Sequence, residues 1–467
     1  MGAAKNIYEK LNKIKNKPEL ALGLLYYSKL CCGEWDELKS LLNKIKTNLS
    51  LGQVSLTPFT AILSTADPNL QYLAAKNFSD KYINAKSKIN HDFKKNITHK
   101  KIRIAYLSSD FYNHATSHLI AGLFENQNKE KFDYYAFSYG KLDNSKIARR
   151  VKSSFNNFFD IEAQSDEEIS KILYNHEIDI VVDLKGHTKN NRLKCLSNRP
   201  CPIQISYLGF PGSLGTDFID YLIMDSFTVN KDNRSFFNEN IIYLPNSYQC
   251  NENKSKILLS KKDLNLPDNK IILCSLNNAQ KYNIKLLDIW AQILIENPNT
   301  ILWLLDDNEI VIENITNFFI NKKINKSRIV FATRTDTKTH ISRMVLADIY
   351  LDSYPCNAHT SASDALQANL PIVTISGNSM SSRVTGSLLK TINAEELICR
   401  NYSEYKKKIN FLINNKSSLS KIRDKIRKNK NKNLFNSKLF AINLEKAYEK
   451  IWKSFLNGEK IADIKIK

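Results

Sequence analysis

The chain has 467 residues, enough for two or three domains with real cores, and its 42% hydrophobic and 10% aromatic content exclude a disordered protein. The formal net charge is +21, but the lysines are spread along the whole chain, with local density near residues 94–101 and 421–432. No helix-turn-helix or aromatic-interleaved basic motif accompanies them, so the charge reads as a solvated surface and no specific nucleic-acid partner is expected.

Residues 1–90 read as helical. Glu19–Tyr27 and Gly33–Ile45 carry apolar residues three and four apart, separated by a Gly-containing break. That is one helical hairpin of the tetratricopeptide kind, with no further copies at a fixed period. Pro58–Ile62 and Asn69–Phe78 suggest one or two more helices, and Asn84–Lys101 reads as a polar, basic linker or exposed helix end.

At Lys101 the texture changes. Strands are expected at Ile102–Leu107, Tyr134–Tyr139, Ile178–Leu184, Gln204–Leu208, Tyr221–Met224 and Ile241–Leu244, with helices such as Asp166–Tyr174 between them. After the polar stretch Asn251–Pro267 the pattern restarts, with strands at Ile271–Leu276, Thr300–Leu305, Arg328–Ala332, Ala347–Leu351 and Pro371–Ile375 and helices such as Leu286–Glu296. Alternating strands and helices argue α/β architecture with doubly wound parallel sheets. The expectation is three segments: a helical N-terminal region over 1–95, one Rossmann-like domain over 100–250 and a second over 251–467. The two α/β domains would enclose a cleft, and a long amphipathic helix at Ser437–Phe455 would pack back across them.

Ligands of open α/β sheets sit at the carboxyl ends of strands, and polar clusters fall there. They are Ser108–His118, including Asp110 and His114; Asp183–Thr188, including Lys185 and His187; Leu208–Gly215, including Pro211 and Gly212; and Asn277–Lys281, including Asn278. Arg334, His340 and Arg343 follow a later strand. The glycines at 209, 212 and 215 do not match G-x-G-x-x-G and by themselves mean tight turns. The stretch Pro355–Gly377 runs from a strand through Cys356 and a short loop into His359-Thr360-Ser361, then a small-residue helix with Asp364. A helix start has free N–H groups and a positive dipole end, so it suits a diphosphate, and Asp364 suits a ribose hydroxyl; the same pattern is also that of an ordinary N-capped helix.

Eight cysteines lie at 31, 32, 195, 201, 250, 274, 356 and 399, with no C-x-x-C and no zinc spacing. Scattered thiols suggest a reducing, cytoplasmic location. The N-terminus lacks an apolar signal core, and no apolar run approaches a membrane span. The chain also has no D-x-D motif, so a nucleotide diphosphate would be neutralised by protein groups and no metal or other cofactor is expected.

The runs S-S-D-F-Y-N-H-A-T-S-H-L, N-R-P-C-P-I-Q-I-S-Y-L-G-F-P-G-S-L-G, T-I-L-W-L-L and L-A-D-I-Y-L-D-S-Y-P-C-N-A-H-T-S-A-S-D-A-L resemble, in order and spacing over roughly residues 100–455, the catalytic region of the O-GlcNAc transferase family. The resemblance implies a GT-B fold of two Rossmann-like domains with a short tetratricopeptide-like lead-in. It implies inverting, metal-independent transfer of GlcNAc from UDP-GlcNAc to Ser/Thr hydroxyls of proteins. Position by position, it implies that Lys281 contacts the diphosphate, with Asn278 beside it, and that His359, Thr360 and Ser361 contact sugar and diphosphate. It places the ribose on Asp364, uracil against His340 with Arg343 beside it, the N-acetyl group near Cys356, and the sugar and acceptor opposite His114. Asp110, His187, Pro211 and Gly212 are then candidates for the acceptor side. Asn278 is one methylene shorter than the Gln of animal members; Thr337 and Asp179 stand where those carry Lys and His, and their large insertion between the catalytic domains is missing. A same-fold transferase with another UDP-sugar or a non-protein acceptor, and a non-catalytic UDP-sugar-binding scaffold, are the competing readings.

Overall fold

The computed structural model describes residues 2–84, 93 and 99–467. Most of the polar stretch Asn84–Lys101, expected as a linker, lies outside the described residues. Two compact units account for the chain, and both are discontinuous: residues 1–70 with 253–433, and residues 71–252 with 434–467. The helical lead-in is therefore not a body of its own, since most of it belongs to the unit of 253–433. The helix Ser437–Leu456 belongs to the unit of 71–252, where its Tyr448 hydroxyl lies 3.2 Å from that of Tyr106 and its Glu445 carboxylate accepts from Asn128 N–H and Tyr134 OH.

The unit of 71–252 holds an eight-stranded parallel sheet. Its strands are β1 (Ile102–Ser108), β2 (Phe132–Ser138), β3 (Asn157–Asp160), β4 (Ile180–Asp183), β5 (Ile203–Ser206), β6 (Tyr221–Asp225), β7 (Asn240–Leu244) and, in the returning segment, β14 (Ile464–Lys465). The spatial order is β14-β7-β6-β5-β4-β1-β2-β3. The unit of 253–433 holds a six-stranded parallel sheet of β8 (Ile271–Ser275), β9 (Thr300–Leu305), β10 (Ile329–Ala332), β11 (Ile349–Leu351), β12 (Ile372–Ile375) and β13 (Ile398–Cys399), in the order β10-β9-β8-β11-β12-β13. Both are Rossmann-like, so the fold class expected from the sequence is the one observed. The central strands are buried on both faces, which is why they read as unbroken apolar runs: β4 as IVVD, β9 as TILWLL.

Each sheet reverses its strand order once, between β1 and β4 and between β8 and β11. These switch points leave two adjacent loops running in opposite directions, the place where open α/β sheets form a crevice. The loops beyond the strand ends approach closely enough to require glycine. A Cβ on Gly209, just past β5, would sit 2.1 Å from the Leu184 carbonyl oxygen past β4, and one on Gly140, past β2, 2.1 Å from the Ser109 carbonyl oxygen past β1. Backbone atoms cannot yield as a flexible side chain can. Gly209→Ala is therefore expected to destabilise its unit by roughly 1–3 kcal/mol through overpacking, read as a lower urea midpoint at unchanged slope; a wild-type midpoint contradicts the close approach.

Candidate functional site

The switch point of the six-stranded sheet gathers most of the residues singled out by sequence. The loop after β8 carries Asn278 and a single 3-10 turn, Ala279–Lys281. The loop after β11 carries Asp352 through His359 and leads into the eight-residue helix Thr360–Gln367. Lys281 joins the two loops, its ammonium donating to the Asn357 carbonyl oxygen. It lies near enough to Cys356 and His359 to favour the Cys356 thiolate and disfavour the His359 imidazolium.

Asp352, at the end of β11, shapes the second loop. It is buried, and its carboxylate accepts from Ser353 N–H at 2.8 Å, Ala358 N–H at 2.7 Å and the Thr374 hydroxyl at 2.6 Å. These bonds curl the chain around the strand end and aim the helix start back over the sheet. His359, the residue before the helix, takes φ 52° and ψ −108°, a conformation that costs a non-glycine residue on the order of 1–3 kcal/mol. Its Nε2 lies 3.0 Å from the Ser381 carbonyl oxygen. A carbonyl only accepts, so Nε2 carries the proton and Nδ1 the lone pair. No side chain caps the helix Thr360–Gln367, and backbone carbonyls take up most of its first N–H groups: Ser361 N–H donates to Ala358 O at 3.2 Å, and Ala362 and Ser363 N–H donate to His359 O at 3.0 and 3.1 Å. Ser361 is partly engaged with the Tyr350 hydroxyl; Thr360 is half-buried beside it.

Further along the helix, Asp364 accepts from the Lys254 ammonium at 2.9 Å, and its other oxygen lies 4.0 Å from His340 Nε2. His340 Nδ1 faces the Arg343 guanidinium at 2.8 Å, and Arg343 is buried with its other arm on the Thr333 carbonyl and its plane 5.9 Å from the Trp303 ring centroid. Since guanidinium only donates, His340 Nδ1 is the acceptor and the ring is neutral. Burial pushes the His340 imidazole down to about 4 and that of His359 to about 3. Cys356 is buried with its thiol pushed up by desolvation. Asn278 is exposed and accepts from Arg334 at 2.8 Å. Thus Lys281, Cys356, His359, Thr360 and Ser361 form one group, and His340, Arg343 and Asp364 another on the same loop-and-helix frame. Sequence reasoning missed Lys254 and Asp352: Lys254 sits in an irregular polar stretch, and Asp352 reads as one more strand residue.

At the switch point of the eight-stranded sheet, Asp110 and Lys185 form a buried ion pair at 2.6 Å, again linking the two loops. His114 caps the helix Ala115–Glu125, accepting at Nδ1 from Thr116 N–H at 3.2 Å, with Asp110 Oδ2 3.3 Å from the same nitrogen. Its imidazole is shifted down by burial, opposed by the Asp110 carboxylate. Asp183, at the end of β4, holds the next loop through Lys185 N–H and Gly186 N–H. His187 turns away into a slot between Phe78 and Phe210, its Nε2 2.8 Å from the Leu214 carbonyl and 3.2 Å from the Ser79 hydroxyl. That is the environment of a structural histidine, pushed down to about 4 by burial. Pro211 and Gly212 are buried next to it, Gly212 against the Phe210 ring. His114 and Asp110 are brought together; His187, Pro211 and Gly212 form a separate packed cluster. Among the described residues no group of three or more His, Cys, Asp or Glu side chains lies within metal-holding range, and no helix is long and apolar enough to cross a membrane.

Comparison with known proteins places this geometry in a family context. The chain matches the family described as glycosyl transferase family 41 over residues 72–255 and 249–444. It is 31% identical over 465 residues to a probable UDP-N-acetylglucosamine–peptide N-acetylglucosaminyltransferase, SEC, of Arabidopsis thaliana, covering 94% of this chain and 47% of that protein. It is 22% identical to the UDP-N-acetylglucosamine–peptide N-acetylglucosaminyltransferase of Caenorhabditis elegans, over 78% of this chain and 42% of the relative. The chain thus spans about half the length of the curated relatives it matches. Among solved structures, an O-GlcNAc transferase mutant from Thermobaculum terrenum superposes with a TM-score of 0.80 at 19% identity, covering 98% of this chain and 88% of that one.

The neutral histidines His340 and His359, together with His187, have a consequence for stability. Each binds a proton more readily in the unfolded chain, where its pKa returns to about 6.5, than in the folded one. Their contribution is complete above that value and is lost as pH falls toward 4 for His340 and His187 and 3 for His359. By pH 5 each costs on the order of 2 kcal/mol. Urea midpoints at pH 7 and pH 5 are expected to differ accordingly, and His340→Gln to show the shallower fall; equal pH dependence in both would contradict a neutral, buried His340.

Proposed function

The chain belongs to glycosyl transferase family 41, and from that premise we propose that it transfers GlcNAc from UDP-GlcNAc to serine or threonine hydroxyls of proteins, with inversion and without a metal ion. The observation that carries the reading is the single frame holding Lys281, the uncapped start of the helix Thr360–Gln367, and Asp364. An ammonium beside the positive end of a helix suits a diphosphate, a carboxylate paired with Lys254 suits a ribose diol, and a neutral His340 beside Arg343 suits a uracil ring and its carbonyls. Cys356 would line the N-acetyl pocket, with Asn278 at the diphosphate margin. The names of the relatives, which describe peptide N-acetylglucosaminyl transfer, support a UDP-sugar donor and a protein acceptor. Eight free, buried cysteines support a reducing location such as the cytoplasm.

In the reaction, the acceptor oxygen forms a bond to the anomeric carbon on the face opposite the departing UDP, and the carbon–phosphate oxygen bond breaks with its electron pair leaving on the diphosphate. Lys281 and the helix start would stabilise that charge as it develops, the largest electrostatic contribution available. The acceptor's proton must leave as well. His114 Nδ1 lies 3.2 Å from the Thr116 N–H and 3.3 Å from the Asp110 carboxylate; paired with Thr116 the neutral ring carries its proton on Nε2, and paired with Asp110 it carries its lone pair there. The first form orients the acceptor hydroxyl, with a donor phosphate oxygen or water taking the proton, and the second takes the proton itself.

Two variants test these roles with UDP-GlcNAc, UDP-GalNAc and UDP-glucose as donors and intact-mass readout of co-expressed proteins as acceptors. Lys281→Met is expected to lower turnover about 100-fold; near-wild-type turnover, or preference for another donor, removes the assignment. With the first form of His114, His114→Gln, which keeps an N–H donor but no proton acceptor at neutral pH, is expected to retain at least about a tenth of wild-type turnover and to exceed His114→Ala. Equal loss in both identifies the second form, the histidine as general base.

A further inference from the structure

The helical lead-in does more than precede the α/β portion. The helix Ala21–Cys32 ends at Gly33, whose φ of 65° turns the chain sharply and brings Trp35 back beside it. The last carbonyls of that helix, which have no intrahelical partner, are taken up by two asparagines of the other segment: Asn308 Nδ2 donates to Cys31 O at 3.2 Å and Asn314 Nδ2 to Cys32 O at 2.9 Å. The corner is thereby fixed to the unit that carries the loop after β8.

Two donors of this corner reach the residues on either side of Lys281. The Tyr27 hydroxyl donates to Gln280 Oε1 at 2.9 Å, with Cys31 Sγ at 3.4 Å from the same oxygen. The Trp35 indole N–H donates to the Tyr282 carbonyl at 3.1 Å. Tyr282 is itself buried, its hydroxyl shared between the Ser275 and Asn277 carbonyls. Inside the turn, the Lys281 N–H bond to Asn278 O at 3.1 Å, the Tyr282 N–H bond to Ala279 O at 2.9 Å and the Ala279 N–H bond to Asp307 at 3.1 Å hold the backbone. A three-residue 3-10 turn is a weak element on its own. The contacts at 280 and 282 add to these bonds, and the lead-in's share of them comes from residues 27 and 35.

We propose that Tyr27 and Trp35 are positioning residues for donor binding: through Gln280 and Tyr282 they hold the turn that aims the Lys281 ammonium. The helical lead-in is then a brace of the nucleotide-sugar site, whatever else it recruits. The inference rests on the reading of Lys281 as the diphosphate lysine, and the experiment separates the two.

Tyr27→Phe with Trp35→Phe removes both donors, keeps the ring at 27 and leaves a smaller aromatic ring at 35 to face Phe318. UDP binding by calorimetry needs no acceptor and no turnover. The double variant is expected to keep the wild-type melting temperature and the wild-type KM for the acceptor, to bind UDP 5–20-fold more weakly, and to raise the KM for UDP-GlcNAc by a similar factor. In a Lys281→Met background the same pair of substitutions is expected to change UDP affinity less than 2-fold, because the group they position is gone. Wild-type UDP affinity in the double variant, or the same loss in the presence and absence of Lys281, overturns the inference while leaving the donor site intact. Should the double variant melt early, the single Trp35→Phe and Tyr27→Phe forms carry the same comparison, each expected to give a smaller part of the loss. UDP binding unchanged by Lys281→Met alone overturns the donor-site reading and the inference with it.

Discussion

A lysine crosses the switch point of each sheet, and the chemistry of the two loop systems follows from what that lysine meets. In the eight-stranded sheet Lys185 meets the Asp110 carboxylate at 2.6 Å, both buried. A buried charge pair of this geometry is close to neutral in its effect on the surroundings, and its removal by halves would be costly. In the six-stranded sheet Lys281 meets only a backbone carbonyl, that of Asn357. A carbonyl satisfies one N–H of the ammonium and cancels none of its charge. One switch point therefore holds a close ion pair, while at the other the ammonium has no ion pair among the described residues, only the more distant buried Asp352 carboxylate, and lies next to a helix start. The proposed reading puts the anionic ligand at the latter and the acceptor hydroxyl at the former, an order that the folds alone, being alike, would not give.

The loops that carry these groups are held by carboxylates at strand ends. Asp183 binds the N–H groups of residues 185 and 186, Asp225 those of Phe227 and Thr228, and Asp352 those of Ser353 and Ala358. Each converts the free end of a parallel strand into a tight curl by satisfying amides that no ladder reaches. At β11 the curl is followed by the left-handed His359, so the chain stores local strain where the helix Thr360–Gln367 begins. The strain persists because its neighbours over-determine it: Asp352 on one side, Ser381 and Lys281 on the other.

Much of this was legible in the amino-acid order, and the failures have physical causes. The buried strands were visible because both faces are apolar; β13 and β14 were not, because two residues are too short for any periodicity to register, and β3 was not, because NFFD has polar ends and no fully buried residue. Lys281, His359, Thr360, Ser361 and Asp364 fall at strand ends, so a rule about parallel sheets suffices to find them. The same rule also sweeps in His187, which the fold buries against Phe78 and Phe210, since position in a loop says nothing about which way a side chain turns. Lys254 on Asp364 and Tyr27 on Gln280 are separated by 110 and 253 residues. No local pattern encodes such pairs. The roles of individual groups toward uracil, ribose and N-acetyl rested on resemblance, since spacing identifies a polar cluster but not its ligand.

The lead-in illustrates why such long-range pairs matter. A single helical hairpin cannot bury its own apolar face, and repeats of this kind are stable only when a neighbour covers them. Here the neighbour is the unit of 253–433: Trp35 packs edge-on to Phe318 and the carbonyls of the helix Ala21–Cys32 are closed by Asn308 and Asn314. Cover works in both directions. The corner that Phe318, Asn308 and Asn314 cover is the same corner that donates to Gln280 and to the Tyr282 carbonyl on either side of Lys281. On the proposed reading, free energy that orders the lead-in would also order the turn carrying the ammonium, and a diphosphate bound by Lys281 would, by the same linkage, stabilise the hairpin.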